Sequence, residues 1–306
     1  MSPAPPPKSP LLRPLDVLAL AFLGGLILLA AVAWGRGIPR GREAVQNLGL
    51  GVLLLLALRA TQLVVPSRLT AFLAANAPIA MVPIDWSLDP IVDLVHPNLV
   101  DATLLAADRW LFGETPSITL EHLLAPWLTE ALLFGYLSYF LILAAPLAFF
   151  WIFRDPEVHE EFARALVPLF VINLAFYILV PAIGPRFHVA DAYRTPLTGL
   201  FFAERIRDLF LNVPFFRDCF PSGHTAGTLL VLIYARRRLP ALFWALLPLG
   251  ALCIAATVLC RFHYAIDLIC ALPLVFFAVQ ASRALSPEAT DSMFARLRLG
   301  VGQLGR

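Results

Sequence analysis

Seven stretches of mostly apolar residues divide the chain, near 15–35, 47–65, 127–153, 164–182, 221–235, 239–260 and 262–282. About 20 such residues suffice to cross a bilayer as a helix. Inside lipid a spanning backbone must satisfy its own N–H and C=O groups, which a helix does. The runs therefore predict an all-α, multi-pass transmembrane helical bundle of about seven spans. The fifth run is short, and Arg59 interrupts the second. Arg59 lies near a helix end, so it reads as a snorkelling side chain rather than a functional charge.

Composition agrees. Of 306 residues, 59% are hydrophobic and 14% charged, whereas a soluble domain is about a quarter charged. The net charge of +2 argues against a nucleic-acid partner and leaves membrane lipids as the surroundings. Lys8 is the only lysine, an arginine bias that points to a bacterial cell membrane. Cys219, Cys253, Cys260 and Cys270 form no CxxC pair and read as core residues. The expected layout is a disordered proline-rich segment over 1–14 and N-terminal transmembrane helices over 15–65. An outer interfacial loop with helices spans 66–126, a catalytic transmembrane core 127–282 and a cytoplasmic tail 283–306. The apolar run after the N-terminus lacks a clear small-residue cleavage site, so a retained helix is expected.

Arginine in short loops sets orientation. Arg36, Arg40 and Arg42 share one loop, Arg236, Arg237 and Arg238 another, and Arg283, Arg296, Arg298 and Arg306 the tail. Seven spans place all three regions on one side, taken as cytoplasmic. The loops 66–126 and 183–220 and the corner 260–262 then lie outside. The Trp- and Leu-containing stretch ATLLAADRWLFGETPSITLEHLLAP suits helices lying in the membrane interface.

That outer face collects the ionisable groups. His263 and Asp267, in CRFHYAIDLICA, are four apart and share a helix face. The aspartate can accept one imidazole N–H, which fixes the tautomer and leaves the other nitrogen as nucleophile or base. A structural hydrogen bond at a helix end is the plainer alternative. In CFPSGHTAGTLL, Pro221 and Ser222 suit a helix start. Gly223 admits a ligand close to the backbone, and the exposed N–H groups of a helix N-terminus attract anions. His224 stands beside them, as a catalyst or as an interface histidine. Arg186 follows Gly184–Pro185, and Arg261 lies two residues before His263. Either guanidinium can clamp a phosphate by paired hydrogen bonds, or snorkel. Together these groups suit phosphoryl transfer. One histidine attacks phosphorus, the other protonates the leaving alkoxide, and arginines with helix-end N–H groups hold the equatorial oxygens. No metal or cofactor is called for.

FPSGH followed by HYAID, with the two histidines 39 residues apart, resembles the type 2 phosphatidic acid phosphatase superfamily. The resemblance covers roughly residues 100–282 and implies a six-helix core with its active site at the non-cytoplasmic interface. It also implies a covalent phosphohistidine, with His263 as nucleophile, Asp267 orienting it and His224 as general acid. Leu179 and Thr257 stand where the phosphatase branch usually has basic residues. The HYAID form and the upstream DRWLFGETP and LTEALLFGYLSYF look more like the inositol phosphorylceramide synthase branch. That likeness implies transfer of a phosphoinositol-like head group from a phospholipid donor to a lipid alcohol. Hydrolysis of a lipid phosphate, with water as acceptor, is the alternative. From another class, His263–Asp267 can serve as the proton relay of a transporter, although no inverted repeat supports this.

Overall fold

The computed structural model describes residues 12–65, 67–76, 87–154, 156–205 and 217–286. The first 11 residues and the tail beyond 286, with the expectations placed on them, lie outside the described residues. The described chain is helical throughout: α1 Pro14–Gly35, α2 Gly41–Val64, α3 Arg68–Asn76, α4 Asp89–Val95, α5 Asp101–Phe112, α6 Pro116–Thr119, α7 Pro126–Leu137, α8 Tyr139–Phe153, α9 Pro156–Leu179, α10 Pro185–His188, α11 Gly223–Arg238, α12 Pro240–Leu259 and α13 Ala265–Ala284. Proline opens α1, α7 and α12, where its missing N–H costs no helical bond.

Five helices, α1, α2, α9, α12 and α13, are long and apolar enough to cross a membrane, and the pair α7–α8 makes a sixth candidate bent by 43°. The expected span at 127–153 is thus two helices that meet at Ser138. The fifth expected span is α11, which has only 16 residues. It nevertheless links the two ends of the bundle. Its first residue lies against Asn173 and Tyr177 near the end of α9, and its Arg238 pairs with Glu161 near the start of α9. Helix α11 is the central post, packed on α8, α9, α12 and α13. Small residues permit this. A Cβ on Gly227 would stand 2.5 Å from the Tyr139 hydroxyl, so glycine makes room for the Tyr139 side chain of α8 against the post. Around the post, Ile142, Phe150, Phe162, Leu166, Leu230, Val231 and Leu274 form the main core. Leu50, Leu53, Phe140, Leu141, Phe276 and Phe277 stay exposed, as lipid-facing side chains should.

The expected sidedness needs correction. Arg13, before α1, pairs with Glu160 at the start of α9 and donates to the Ala74 and Ala75 carbonyls of α3. The start of α1, all of α3 and Arg236–Arg238 therefore share one end. The turn after α1 lies at the other end, where Arg40 pairs with Asp89 at 2.8 Å. The arginine loops 36–42 and 236–238 are thus at opposite ends, because α1 runs parallel to α9. The segment 66–126 is likewise divided: α3 lies at the Arg236–Arg238 end, whereas α4 to α6 lie at the opposite one.

Arg59 also departs from expectation. It is buried and donates to Asp16 at 2.7 Å, and Asp16 is fully buried. Two adjacent charges in a low-dielectric site hold each other, and removing either strands its partner.

Candidate active site

The site is built where α11 and α13 begin. Ser222 is fully buried, and its hydroxyl accepts the Thr225 N–H at 3.2 Å, the side-chain cap that starts α11. The turn before it is pinned from α9 and α8. Asn173 donates to the Pro221 carbonyl at 3.0 Å and the Tyr139 hydroxyl to the Gly223 carbonyl at 3.1 Å. A Cβ on Gly223 would meet Asn173 Oδ1 at 2.6 Å and the Tyr177 hydroxyl at 2.8 Å. The close approach predicted for Gly223 is therefore occupied by protein on its Cβ side.

His263 and Asp267 are brought together. The Nδ1 of His263 lies 2.6 Å from the Cys219 carbonyl oxygen and 3.3 Å from Asp267 Oδ2. A carbonyl can only accept, so Nδ1 carries the hydrogen and Nε2 the lone pair. Asp267 Oδ2 also accepts the Tyr264 N–H at 2.9 Å and the Cys219 thiol at 3.0 Å. Asp267 thus caps the first turn of its own helix while steering the imidazole. Burial, followed by the Asp267 carboxylate, pushes the Cys219 thiol well above its ordinary range, so it donates as a thiol. Residue 257, where the phosphatase branch carries a basic residue, is a buried threonine. Its hydroxyl donates to the Ile254 carbonyl at 2.6 Å and its own carbonyl accepts the His263 N–H at 2.7 Å.

His224 faces His263 with ring centroids 6.3 Å apart. It sits between two tyrosines, stacked on Tyr136 at 4.2 Å and tilted against Tyr139 at 4.2 Å. Tyr136 in turn stacks on Phe262 at 4.0 Å. The Arg186 guanidinium lies 4.9 Å from the Phe262 centroid and 4.8 Å from that of Phe187. A continuous layered stack therefore joins Arg186, Phe262, Tyr136 and His224. Gly184, with φ +84°, makes the turn into Arg186, and a Cβ there would stand 2.5 Å from the Phe262 carbonyl.

Arg261 behaves differently from the expectation. Its guanidinium turns to Glu121 at 3.4 Å, bonds the Thr195 carbonyl and lies 3.8 Å from the Tyr193 centroid. Glu121 accepts the N–H groups of Arg194 and Thr195 as well. These bonds, that of Thr195 first, hold its carboxyl below the usual range. Arg261 is therefore a strut for the loop at 193–195, because the Glu121 carboxylate waits at the end of its reach.

Sequence reading missed the supports on α5. Asp101 and Asp108 are seven apart and both fully buried. Asp101 accepts the Ile183 and Gly184 N–H groups at 3.0 and 2.8 Å and the Tyr264 hydroxyl at 3.0 Å. Asp108 accepts the Ala265 and Ile266 N–H groups at 3.1 and 2.8 Å. It thereby caps α13 from a separate helix, and burial raises its pKa. One face of α5 clamps the Arg186 turn and the His263 turn together. The i, i+7 spacing of two aspartates in an apolar segment was the available signal.

The described fold is a helical bundle with up to six candidate membrane spans and a paired-histidine corner where two of its helices begin. The protein-family profile described as PAP2 superfamily matches residues 102–281, more than half of the chain, and the chain belongs to that superfamily. A PA-phosphatase related-family protein of Dictyostelium discoideum is 29% identical over 130 residues, 41% of this chain and 23% of that relative. The chain thus matches about a quarter of that relative's length. No solved structure matches. The chain is accordingly a helical member of that superfamily with five, or up to six, candidate membrane spans among its described residues.

Proposed function

We propose that the protein transfers a phospho group from a lipid through a phosphohistidine on His263. The observation that carries this is the 2.6 Å contact between His263 Nδ1 and the Cys219 carbonyl. It commits the proton to Nδ1 and leaves the Nε2 lone pair for phosphorus. His224, one ring away across a 6.3 Å centroid separation, is placed to protonate the departing alkoxide. Arg186 and the first-turn N–H groups of α11 face the same corner and favour the equatorial oxygens. Asp267 stabilises the imidazolium character that develops as the N–P bond forms.

The acceptor decides between two outcomes. The HYAID form and the upstream motifs favour a lipid alcohol receiving a phosphoinositol-like head group. The likeness to a PA-phosphatase related-family protein favours water as the acceptor and a lipid phosphate as the donor. The outer, non-cytoplasmic face is the proposed location of the site, with Arg236–Arg238 on the inner side. Purified protein should be offered phosphatidylinositol and phosphatidic acid as donors, with ceramide, diacylglycerol or water as acceptors. Product identity assigns the branch, and a phosphorylated peptide carrying His263 confirms the intermediate. Turnover that survives His263→Ala refutes the reading.

A further inference from the structure

The buried triplet Cys219, His263 and Asp267 has a second capacity. Cys219 Sγ, His263 Nδ1 and Asp267 Oδ2 lie 3.0, 3.3 and 3.7 Å from one another. All three residues are buried, and their ligand atoms fall within one metal-sized group. Three corners of a tetrahedron around zinc, with Zn–S about 2.3 Å and Zn–N or Zn–O about 2.0–2.1 Å, are separated by about the same spans. We propose that this triplet is an inhibitory site for a thiophilic divalent cation such as Zn²⁺ or Cd²⁺. The proposal rests on the reading of His263 as nucleophile for its inhibitory effect, but not for metal binding.

Charge favours such an ion. A thiolate and a carboxylate together offset the two positive charges, so the complex is neutral in a site where a net charge is costly. Asp267 Oδ1 is buried without a hydrogen-bond partner among the described residues, so the carboxylate has an oxygen free to rearrange. The Cys219 carbonyl, 2.6 Å from Nδ1, must turn away from the ring for the ion to reach Nδ1, and water can take the fourth position. Magnesium and calcium demand six or more oxygen ligands and are excluded by the sulfur and nitrogen donors. On binding, the thiol proton is released to water and the imidazole proton passes from Nδ1 to Nε2. The metal takes the Nδ1 lone pair, and the Nε2 lone pair needed for attack on phosphorus is lost. No bond to substrate forms and no oxidation is involved.

The test uses the full-length protein in detergent. Cd²⁺ is titrated while thiolate-to-cadmium charge-transfer absorption is followed, and Co²⁺ is used separately to read coordination geometry. The wild type should bind one equivalent of Cd²⁺ with the charge-transfer band, and its Co²⁺ spectrum should be tetrahedral with sulfur ligation. Cys219→Ser and Cys219→Ala, with the other three cysteines intact, should lose the band. The Zn²⁺ concentration for half-inhibition of lipid phosphate turnover should rise at least about tenfold in either variant relative to its own uninhibited rate. An octahedral Co²⁺ spectrum in the wild type, or a band that persists in both variants, overturns the site. Unchanged Zn²⁺ sensitivity in the variants overturns the inhibitory role. A metal-binding wild type with no turnover on any lipid phosphate leaves the metal site standing and defeats the catalytic reading instead.

Discussion

The imidazole of His224 lies parallel to the ring of Tyr136, 4.2 Å between centroids and 13° between planes. Tyr139 closes the other side at 4.2 Å. The proposed proton donor is therefore oriented by aromatic faces, each such contact contributing about 0.5–1.5 kcal/mol. Tyr136→Leu should lower kcat on the order of fivefold, as about 1 kcal/mol of orientation is lost. Tyr136→Phe keeps the stack and should retain more activity than Tyr136→Leu. Equal losses in the two variants would assign the effect to the hydroxyl instead.

Asp108 offers a second test. Its carboxylate receives the first-turn N–H groups of Ala265 and Ile266, and α13 begins two residues before Asp267. Asp108→Ala leaves those half-buried donors without their acceptor. A lost cap of this kind costs about 1–2 kcal/mol. Thermal unfolding in detergent should shift down, and turnover should fall through misplacement of Asp267. An unchanged melting temperature would show that α5 does not support the corner.

The paired histidines, the aspartate and the helix cap at Ser222 were legible because each is encoded within a few residues of one helix start. The bundle was legible because long apolar runs have one solution in lipid. What escaped was encoded across distance. Asp101 and Asp108 cap turns some 80 and 160 positions away, and no local pattern announces the partners. Arg261 sits two residues from His263 yet faces Glu121, 140 positions upstream. The side assigned to the 36–42 loop failed for a related reason. Counting spans takes 66–126 as a loop on one side, whereas α3 lies at the Arg236–Arg238 end and α4 at the opposite one.

Glu121 gives a pH-dependent outcome. Its carboxyl is held below the ordinary glutamate range, first by the Thr195 N–H. A lowered folded-state pKa means the contribution is present above the unfolded value and is lost as pH falls through the folded one. Amide exchange at Arg194 and Thr195, corrected for intrinsic rates, should show protection at neutral pH that disappears on acidification below the ordinary glutamate range. Glu121→Gln should show weak protection at neutral pH and little further change. Protection that rises on acidification would have the wrong sign and would remove Glu121 from this role.

The division of labour between the histidines is the sharpest test. His263 is assigned the attack on phosphorus, so His263→Ala should abolish turnover of every substrate. His224 is assigned the leaving-group proton, and its contribution must depend on how much that proton is needed. General acids contribute about 10²–10⁴-fold. His224→Ala should therefore lose about that factor with an alkyl lipid phosphate. It should lose far less with an aryl phosphate whose phenolate departs without protonation. Dephosphorylation of a preformed phosphohistidine must also be separated, since His224 can activate the incoming water or alcohol. A burst of phenolate in His224→Ala followed by slow turnover would place the defect in that second half. Equal losses with alkyl and aryl substrates and no burst would mean that His224 only shapes the pocket, and that the proton donor lies elsewhere.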